Sequence, residues 1–509
     1  MTSAELREAT AEVVDARDAR SRQAAPKLAR GECGPRIGDG QGWAALGSET
    51  RVASTWAVTV TIGVISSAAW LGVSGGSRIG SNGVSASGAA LRLPGMQSEG
   101  ARREEIIQHA GALFASSGLK TSLNDIAEAS GILPGSLYHH FDSKEAIIIE
   151  LVQRYNDDLQ RIAKEARDML HEPVARPMKQ RVQEFGRAIA AVGIEHSAAL
   201  LLTLYEAPTG VGEETGHALQ SPPVIHDAME AILLAGRAGG EIRPGIDVPV
   251  LSDRLCQSML HSGVGMTHLT RERDLVPDLK MRILLDGLAA KPPSNTALDR
   301  SRALRAARDA IATWGQQDVE DDDRTVHLLT VARAEFGRRG YEATTMRDIA
   351  SAAHLSVGTV YRLLRSKDEL LETIMTSYVN KVVTAWDAVV HSDASPLSKI
   401  DALMWVTINV IHTLSDEFKV MLAWLRQSPP SSAMSLGPIF PKQLRHLRAL
   451  VAAGAGDGQI QLNGASADIR ARCILDAIWG AGAYVATVPP ADAHRLARDT
   501  VIRGAAPRA

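Results

Sequence analysis

Two octapeptides in this chain set small, polar and aromatic residues in the same order: Pro134 to Phe141 reads PGSLYHHF and Val357 to Leu364 reads VGTVYRLL. Contact with nucleic acid is the chemistry such residues perform. Gly135 and Ser136, like Gly358 and Thr359, let backbone and short side chains approach phosphate oxygens and base edges at the tip of a helix. Tyr138 and His139, and Tyr361 and Arg362, can then donate to flanking phosphates. Ser143-Lys144 and Ser366-Lys367 begin the next helix, where a capping hydroxyl, free backbone amides and an ammonium group form a site for one more phosphate. Leu137, Phe141, Val360 and Leu364 read as core. His139 and His140 have no carboxylate, Cys or third His at ligand spacing, so neither a metal nor a cofactor is expected. The chain also lacks GxSxG, HExxH, a P-loop and a strand-associated GxGxxG, and an enzyme is not expected.

Helices must position these groups. Ile106, Ala110, Leu113 and Phe114, and likewise Leu328, Leu329, Ala332 and Phe336, fall on one apolar face of a helix that stops before a glycine. A second helix follows, with Ser122 and Asp125, or Thr345 and Asp348, placed as N-cap and N3 acid of its first turn. A turn of three or four residues separates it from the octapeptide helix, the spacing of a helix-turn-helix. Pro134 suits the first position of that third helix, whereas Leu133 offers no polar cap; Ser356 and Val357 stand at the matching places in the second copy. Charge separates the copies. Arg102 to Glu145 holds four Lys or Arg against six Asp or Glu, while Arg324 to Glu369 holds eight against five, with Arg347, Arg362, Arg365 and Lys367 gathered around the reading helix. Phosphate attraction is therefore expected to rest more on the second copy.

The duplication extends beyond these heads. The segment from Phe114 returns from Phe336, and GGEIRPGIDVPVLSDRLCQSML from Gly239 is echoed by DGQIQLNGASADIRARCILDAI from Asp457 at an offset of 218. Each repeat is thus a head plus a body of about 200 residues. At 509 residues, 45% apolar and only 4% aromatic, the chain has the bulk for several helical cores but not for aromatic-rich β-sandwiches; an all-α fold is expected. A net charge of −3 confines any nucleic-acid site to local patches. Cys33, Cys256 and Cys473 lie too far apart in sequence for a CxxC pattern and fit a reducing cytoplasm.

TSLNDIAEASGILPGSLYHHFDSKEAI and TTMRDIASAAHLSVGTVYRLLRSKDEL resemble the DNA-binding heads of TetR-type transcriptional regulators, and two such units in one chain resemble the tandem TetR-type regulators of actinobacteria. The resemblance implies that the heads bind double-stranded operator DNA, and that each body holds an inducer pocket and two dimerising helices. GSLYHHF is similar to repressors of steroid and lipid catabolism that sense acyl-CoA compounds, which implies a small apolar or amphipathic inducer, an acyl-CoA or sterol-derived acid. The alternative is a helical ligand-binding or scaffold protein whose heads no longer bind DNA productively, favoured only by the acidic first head.

The expected division is an extension at 1–95, a first head at 96–145, a first body at 146–290, a linker at 291–323, a second head at 324–368 and a second body at 369–503. The extension is rich in Gly, Ser and Ala. Its uncharged run from Val52 to Ser77 is long enough to span a bilayer but diluted by Ser, Thr and Gly. The preferred reading is a poorly ordered extension, or coding sequence upstream of a start at Met96. In the bodies, Leu204, Tyr205, Trp405, Asn409 and Trp424 are candidates for lining the ligand cavity. LDRSRALRAARDAIATWGQQ reads as one linking helix. Pro249 to Met266 and Ala467 to Tyr484 are the expected dimerising helices, with Met259 facing Ala477, His261 facing Trp479 and Met266 facing Tyr484. Large against small favours an intramolecular pseudo-dimer with unlike half-sites; a homodimer of chains is the alternative assembly.

Overall fold

The computed structural model describes residues 99–117, 121–172, 176–203, 224–262, 274–315, 323–341, 344–427, 439–479, 485 and 487–508, without the side chains of 99, 201–203, 422–427 and 439–440. The 1–95 extension and its uncharged run lie outside this description, as do Leu204, Tyr205, Met266 and Tyr484. No helix among the described residues is long and apolar enough to cross a membrane.

Among the described residues, two sets of nine helices follow one another. The first comprises α1 (Glu99–Ser117), α2 (Leu123–Ala129), α3 (Pro134–Leu137), α4 (Lys144–Asp168), α5 (Met178–Glu195), α6 (Ser197–Thr203), α7 (Val224–Ala238), α8 (Val248–Leu260) and α9 (Leu275–Asp286). After two intervening helices, α10 (Asn295–Asp299) and α11 (Arg302–Ala312), the same order returns. The second set is α12 (Asp323–Arg339), α13 (Met346–Ala352), α14 (Val357–Leu363), α15 (Lys367–His391), α16 (Pro396–Thr413), α17 (Ser415–Gln427), α18 (Ile439–Gly456), α19 (Ala467–Trp479) and α20 (Pro490–Ala497). The all-helical expectation holds among the described residues, and the lengths agree: α4 and α15 each run 25 residues, α5 and α16 each 18.

Three short helices close around one apolar cluster in each head. Ile106, Ala110, Phe114, Ile126, Leu137 and Phe141 are buried in the first, and Leu328, Ala332, Phe336, Ile349, Val360 and Leu364 in the second. The long helices α4 and α15 carry that core into the bodies, where Tyr155 and Tyr378 occupy equivalent buried positions. Head and body also meet through α1 against α6 and through α12 against α17. The second joint contains an ion pair, Arg333 Nη1 to Glu417 Oε1 at 2.8 Å, with Glu417 buried; the equivalent places in the first joint hold Gly111 and Ala199.

The segment expected as a linker is more than a spacer. It forms two helices in place of the one expected, because Ser301 breaks the run and its Oγ caps the next helix by accepting from the Leu304 amide at 3.1 Å. Ala303, Leu304 and Ala307 of α11 are buried, and α11 packs along α15 and α16 of the second body. Asp299 of α10 reaches Arg498 at 2.8 Å, and Arg498 also pairs with the fully buried Asp401. Burial pushes the Asp401 carboxyl up, but His494 and the Arg498 guanidinium together outweigh it and hold the group below the usual carboxylate range.

The two bodies join through their C-terminal helices, and the joint repeats itself across a pseudo-twofold axis. Leu288 N donates to Val501 O at 2.8 Å and, with the donor 217 residues on and the acceptor 217 residues back, Ala505 N donates to Leu284 O at 3.0 Å. Ala289 N to Ile502 O (3.0 Å) and Ala506 N to Leu285 O (2.8 Å) form a second reciprocal pair. Gly287 and Gly504 make this approach feasible. Both have positive φ, 76° and 81°. A Cβ on Gly287 would stand 2.5 Å from the Arg503 carbonyl carbon, and one on Gly504 2.3 Å from that of Asp286. This is the isologous contact of a symmetric dimer built within one chain.

Where the axis passes between α8 and α19 the expected pairing is corrected. Ser258 Oγ donates to Asp476 Oδ2 at 2.8 Å, residues that are equivalents of one another, and Lys280 Nζ reaches the same carboxylate at 3.1 Å. Arg254, buried, donates to Ala477 O and to Thr500 Oγ1. Desolvation draws its pKa down to about 10. Met259 instead packs into its own body against Gly186, and Trp479 stacks on Phe418 with ring centroids 6.1 Å apart. The halves therefore meet here through buried polar contacts, while Met259 and Trp479 pack elsewhere.

Candidate nucleic-acid interface

Local hydrogen bonds build each head. Ser122 Oγ accepts from Asp125 N at 3.2 Å while Asp125 Oδ2 accepts from Ser122 N at 2.7 Å, a complete capping box at the start of α2. Thr345 and Asp348 repeat it on α13, at 3.2 and 2.9 Å. The bonds from the cap hold both carboxyls below their ordinary pKa, led by the backbone amide for Asp125 and by the side chain for Asp348. Asp125 and Asp348 therefore stay ionised and fix the helix that braces the reading element.

Pro134 stands at the first turn of α3, as expected, with Gly135 exposed and Ser136 partly so. Beyond Leu137 the chain continues as tight turns: His139 N bonds to Ser136 O, and His140 N and Phe141 N both bond to Leu137 O. In the second head α14 extends through Leu363. Ser356 Oγ accepts from Thr359 N at 3.1 Å and lies 2.8 Å from Thr359 Oγ1. Leu133, at the matching place, makes no side-chain cap. One head thus presents a capped seven-residue reading helix and the other an uncapped four-residue turn.

The remaining candidates lie on the same surfaces. Tyr138 and Tyr361 are exposed at equivalent positions, as are His139 and Arg362; Arg347, Val357 and Gly358 are exposed and Thr359 is partly so. Ser143 and Ser366 cap α4 and α15 by accepting from Ala146 N and Glu369 N at 3.2 and 3.0 Å. Lys144 and Lys367 stand at the first turns of these helices, each over an aromatic ring: Phe114 at 5.9 Å and Tyr341 at 4.2 Å. The rings hold both ammonium groups beside the amino ends of two 25-residue helices, a geometry suited to phosphate. Burial lowers the Lys144 pKa from its ordinary value. Arg338 and Arg339 are engaged with Glu335, and Arg339 also with Asp348, so they brace the head.

Of the ligand candidates, Trp405 lies between the Arg308 guanidinium of α11 and the His494 ring of α20, 5.8 and 5.2 Å from its own. Asn409 is buried and spends a donor on Trp405 O, at 2.8 Å. Trp424 falls in α17 with its side chain outside the described residues. Trp405 Nε1 is buried without a hydrogen-bond partner among the described residues, and three residues not singled out from sequence share that condition. Trp386 on α15, Thr407 on α16 and Gln443 on α18 are buried, and among the described residues Trp386 Nε1, Thr407 Oγ1 and both Gln443 amide atoms have no hydrogen-bond partner. Aligning the bodies repeat against repeat marks the same three places, because the first body has Ala163, Ile189 and Ile225 there, all buried. Potential metal ligands gather away from His139 and His140, at Asp158, Glu195 and His196, whose ligand atoms lie within 4.8 Å of one another. Arg161 already pairs with Asp158 there at 2.7 Å.

Two capped helix-turn-helix heads on paired helical bodies define a double-headed DNA-binding regulator as the class of this protein. The model of the bacterial regulatory proteins of the tetR family matches twice, at residues 106–151 and 328–374. Over 156 residues the chain is 31% identical to the HTH-type transcriptional repressor KstR2 of Mycolicibacterium smegmatis, covering 30% of this chain and 72% of that protein. Over 59 residues it is 54% identical to KstR2 of Rhodococcus jostii, covering 11% of this chain and 29% of the relative, less than a third of that relative's length. Among solved structures, the ketosteroid regulator KstR2 of Mycobacterium tuberculosis aligns with 35% of this chain and 92% of its own, at 23% identity and a TM-score of 0.30. The chain belongs to the TetR family of bacterial regulatory proteins.

Proposed function

We propose that this protein is a ligand-responsive transcriptional repressor that binds operator DNA as a single chain and governs lipid or sterol metabolism or transport genes. The observation that carries the reading is the reciprocal joint between the bodies: it supplies, within one polypeptide, the paired heads that a symmetric regulator obtains from two. Because PGSLYHHF and VGTVYRLL differ, the two half-sites differ and the operator is not a palindrome. The second head, richer in Lys and Arg, carries the larger share of phosphate attraction. A cytoplasmic location follows from a DNA-bound role.

Ligand sensing belongs to the second body. An indole N–H, a hydroxyl and an amide buried without partners are costly unless a bound molecule completes their hydrogen bonds. Amphipathic ligands, an acyl-CoA or a sterol-derived acid, combine a polar end for these groups with an apolar body for the surrounding helices. The similarity to KstR2 repressors supports the class. Binding shifts the second head through α15 and the Arg333–Glu417 joint, and the chain leaves its operator.

The test is selection from a random duplex pool by the full chain, followed by gel shifts on the recovered fragment. The expected result is a salt-sensitive complex of one chain per non-palindromic fragment, dissociated by one of a panel of acyl-CoA thioesters and steroid acids. Recovery of a symmetric palindrome bound by two chains would refute the single-chain reading, and no enrichment at all would favour the scaffold alternative.

A further inference from the structure

Six large hydrophobic residues are exposed among the described ones, and four of them, Leu133, Tyr138, Val357 and Tyr361, belong to the two reading segments. The tyrosines occupy equivalent places and bring a hydroxyl with their ring. Leu133 brings nothing polar, yet it is 75% exposed, the most exposed of the six. It precedes Pro134 at the very tip of the element, in the position that normally holds a capping Ser, Thr, Asp or Asn, and makes no cap. The second head has Ser356 at this place and forms the cap. Gly135, two residues on, also faces open space: among the described residues nothing lies within 4 Å of where its Cβ would project.

On the surface a helix-turn-helix presents to the major groove, one chemical group matches an isolated aliphatic side chain: the 5-methyl of thymine, the only apolar substituent displayed there by the four bases. We propose that Leu133 is a specificity-determining residue of the first head and reads a thymine by contact with that methyl. The assignment rests on the operator-binding reading above and adds a feature to it: the half-site read by the first head contains a required thymine, and its pattern there is unlike that of the second head, where the equivalent residue is a hydrogen-bonding serine. Val357, one residue further along the chain, is the exposed aliphatic group of the second head. An apolar contact made from there falls at a different place in the half-site.

The experiment removes only the methyl. In the fragment selected from a random duplex pool by the full chain, each thymine is replaced singly by deoxyuridine, and binding is compared for the unmodified protein and Leu133→Ser. At one thymine of one half-site the substitution should weaken the unmodified protein about four-fold, the effect of uncovering one methyl group. Leu133→Ser should bind thymine and uracil versions of that site alike, while keeping the dependence of the other half-site, which shows that the variant remains folded and bound. A chain that binds the fragment but is indifferent to every deoxyuridine, or a variant that keeps the full sensitivity, overturns this assignment alone. A chain that enriches no fragment overturns the operator reading and this assignment with it.

Discussion

The first and second bodies have the same helices in the same order, yet three equivalent buried positions differ in kind. Ala163, Ile189 and Ile225 close the first interior with apolar atoms, whereas Trp386, Thr407 and Gln443 leave polar atoms unpaired in the second. Their joints to the heads differ in the same direction: Arg333 and Glu417 form a half-hidden charge pair, where the first joint has the uncharged Gly111 and Ala199 at the equivalent places. The contrast between the interiors is confined to these three places, since Asn156 Oδ1 and His261 Nε2 of the first body are also buried without a hydrogen-bond partner among the described residues. The linking helix α11 strengthens the contrast, since among the described residues it packs along α15 and α16 of the second body.

What holds these unlike halves together is where the largest effect is expected. Gly504→Val forces a side chain into a backbone with φ of 81° and places its Cβ 2.3 Å from the Asp286 carbonyl carbon. Strained backbone and overpacking together should cost about 4 kcal/mol. Urea denaturation should show that loss, and DNA binding should fall with it because the heads lose their fixed relation. Gly287→Val, its pseudo-symmetric equivalent, should behave alike; a difference of several kilocalories between the two would contradict the reciprocal geometry.

A smaller effect tests the contrast between the interiors directly. Replacing Gln443 by Leu removes two unpartnered buried polar atoms, and the unliganded protein should gain about 1 kcal/mol. The same variant should lose the thermal shift produced by whichever acyl-CoA or steroid acid stabilises the unmodified chain. Ile225→Gln, the converse change in the first body, should cost about 2 kcal/mol and create no ligand response. Equal destabilisation by both changes would show that Gln443 is satisfied in solution and that the two interiors are alike.

These differences also mark how far the amino-acid sequence can be read. The heads are legible because their determinants are local: Ser122 with Asp125, Thr345 with Asp348 and the serines before α4 and α15 each act within four residues of chain. Pairing of the halves was legible in outline from the duplication, but Gly287 and Gly504 are ordinary helix-ending glycines until the fold sets one helix end against the other. Trp479 illustrates the same limit. Its size suggested a residue facing the partner half, and only the packing of α17 shows that Phe418 takes it inward. The unpaired polar triplet escaped notice because Trp, Thr and Gln at those spacings are unremarkable; the signal lies in their comparison with the first repeat.

The smallest effect concerns the reading elements themselves and isolates local from tertiary causes. Ser356 caps α14 and Leu133 leaves α3 uncapped, although the surrounding heads share their core positions. If the cap accounts for the longer helix, Ser356→Ala should cost about 1 kcal/mol and shift the thermal midpoint down by a few degrees, while Leu133→Ser should return a similar gain in the first head. Both residues are exposed, so no core contact is disturbed by either change. Amide hydrogen exchange supplies the finer reading: protection at Thr359 and Val360 should fall in Ser356→Ala, and protection at Ser136 and Leu137 should rise in Leu133→Ser. Unchanged protection in both would mean that the packing of Leu137 and Val360 into their cores, and not the cap, decides how far each reading helix extends.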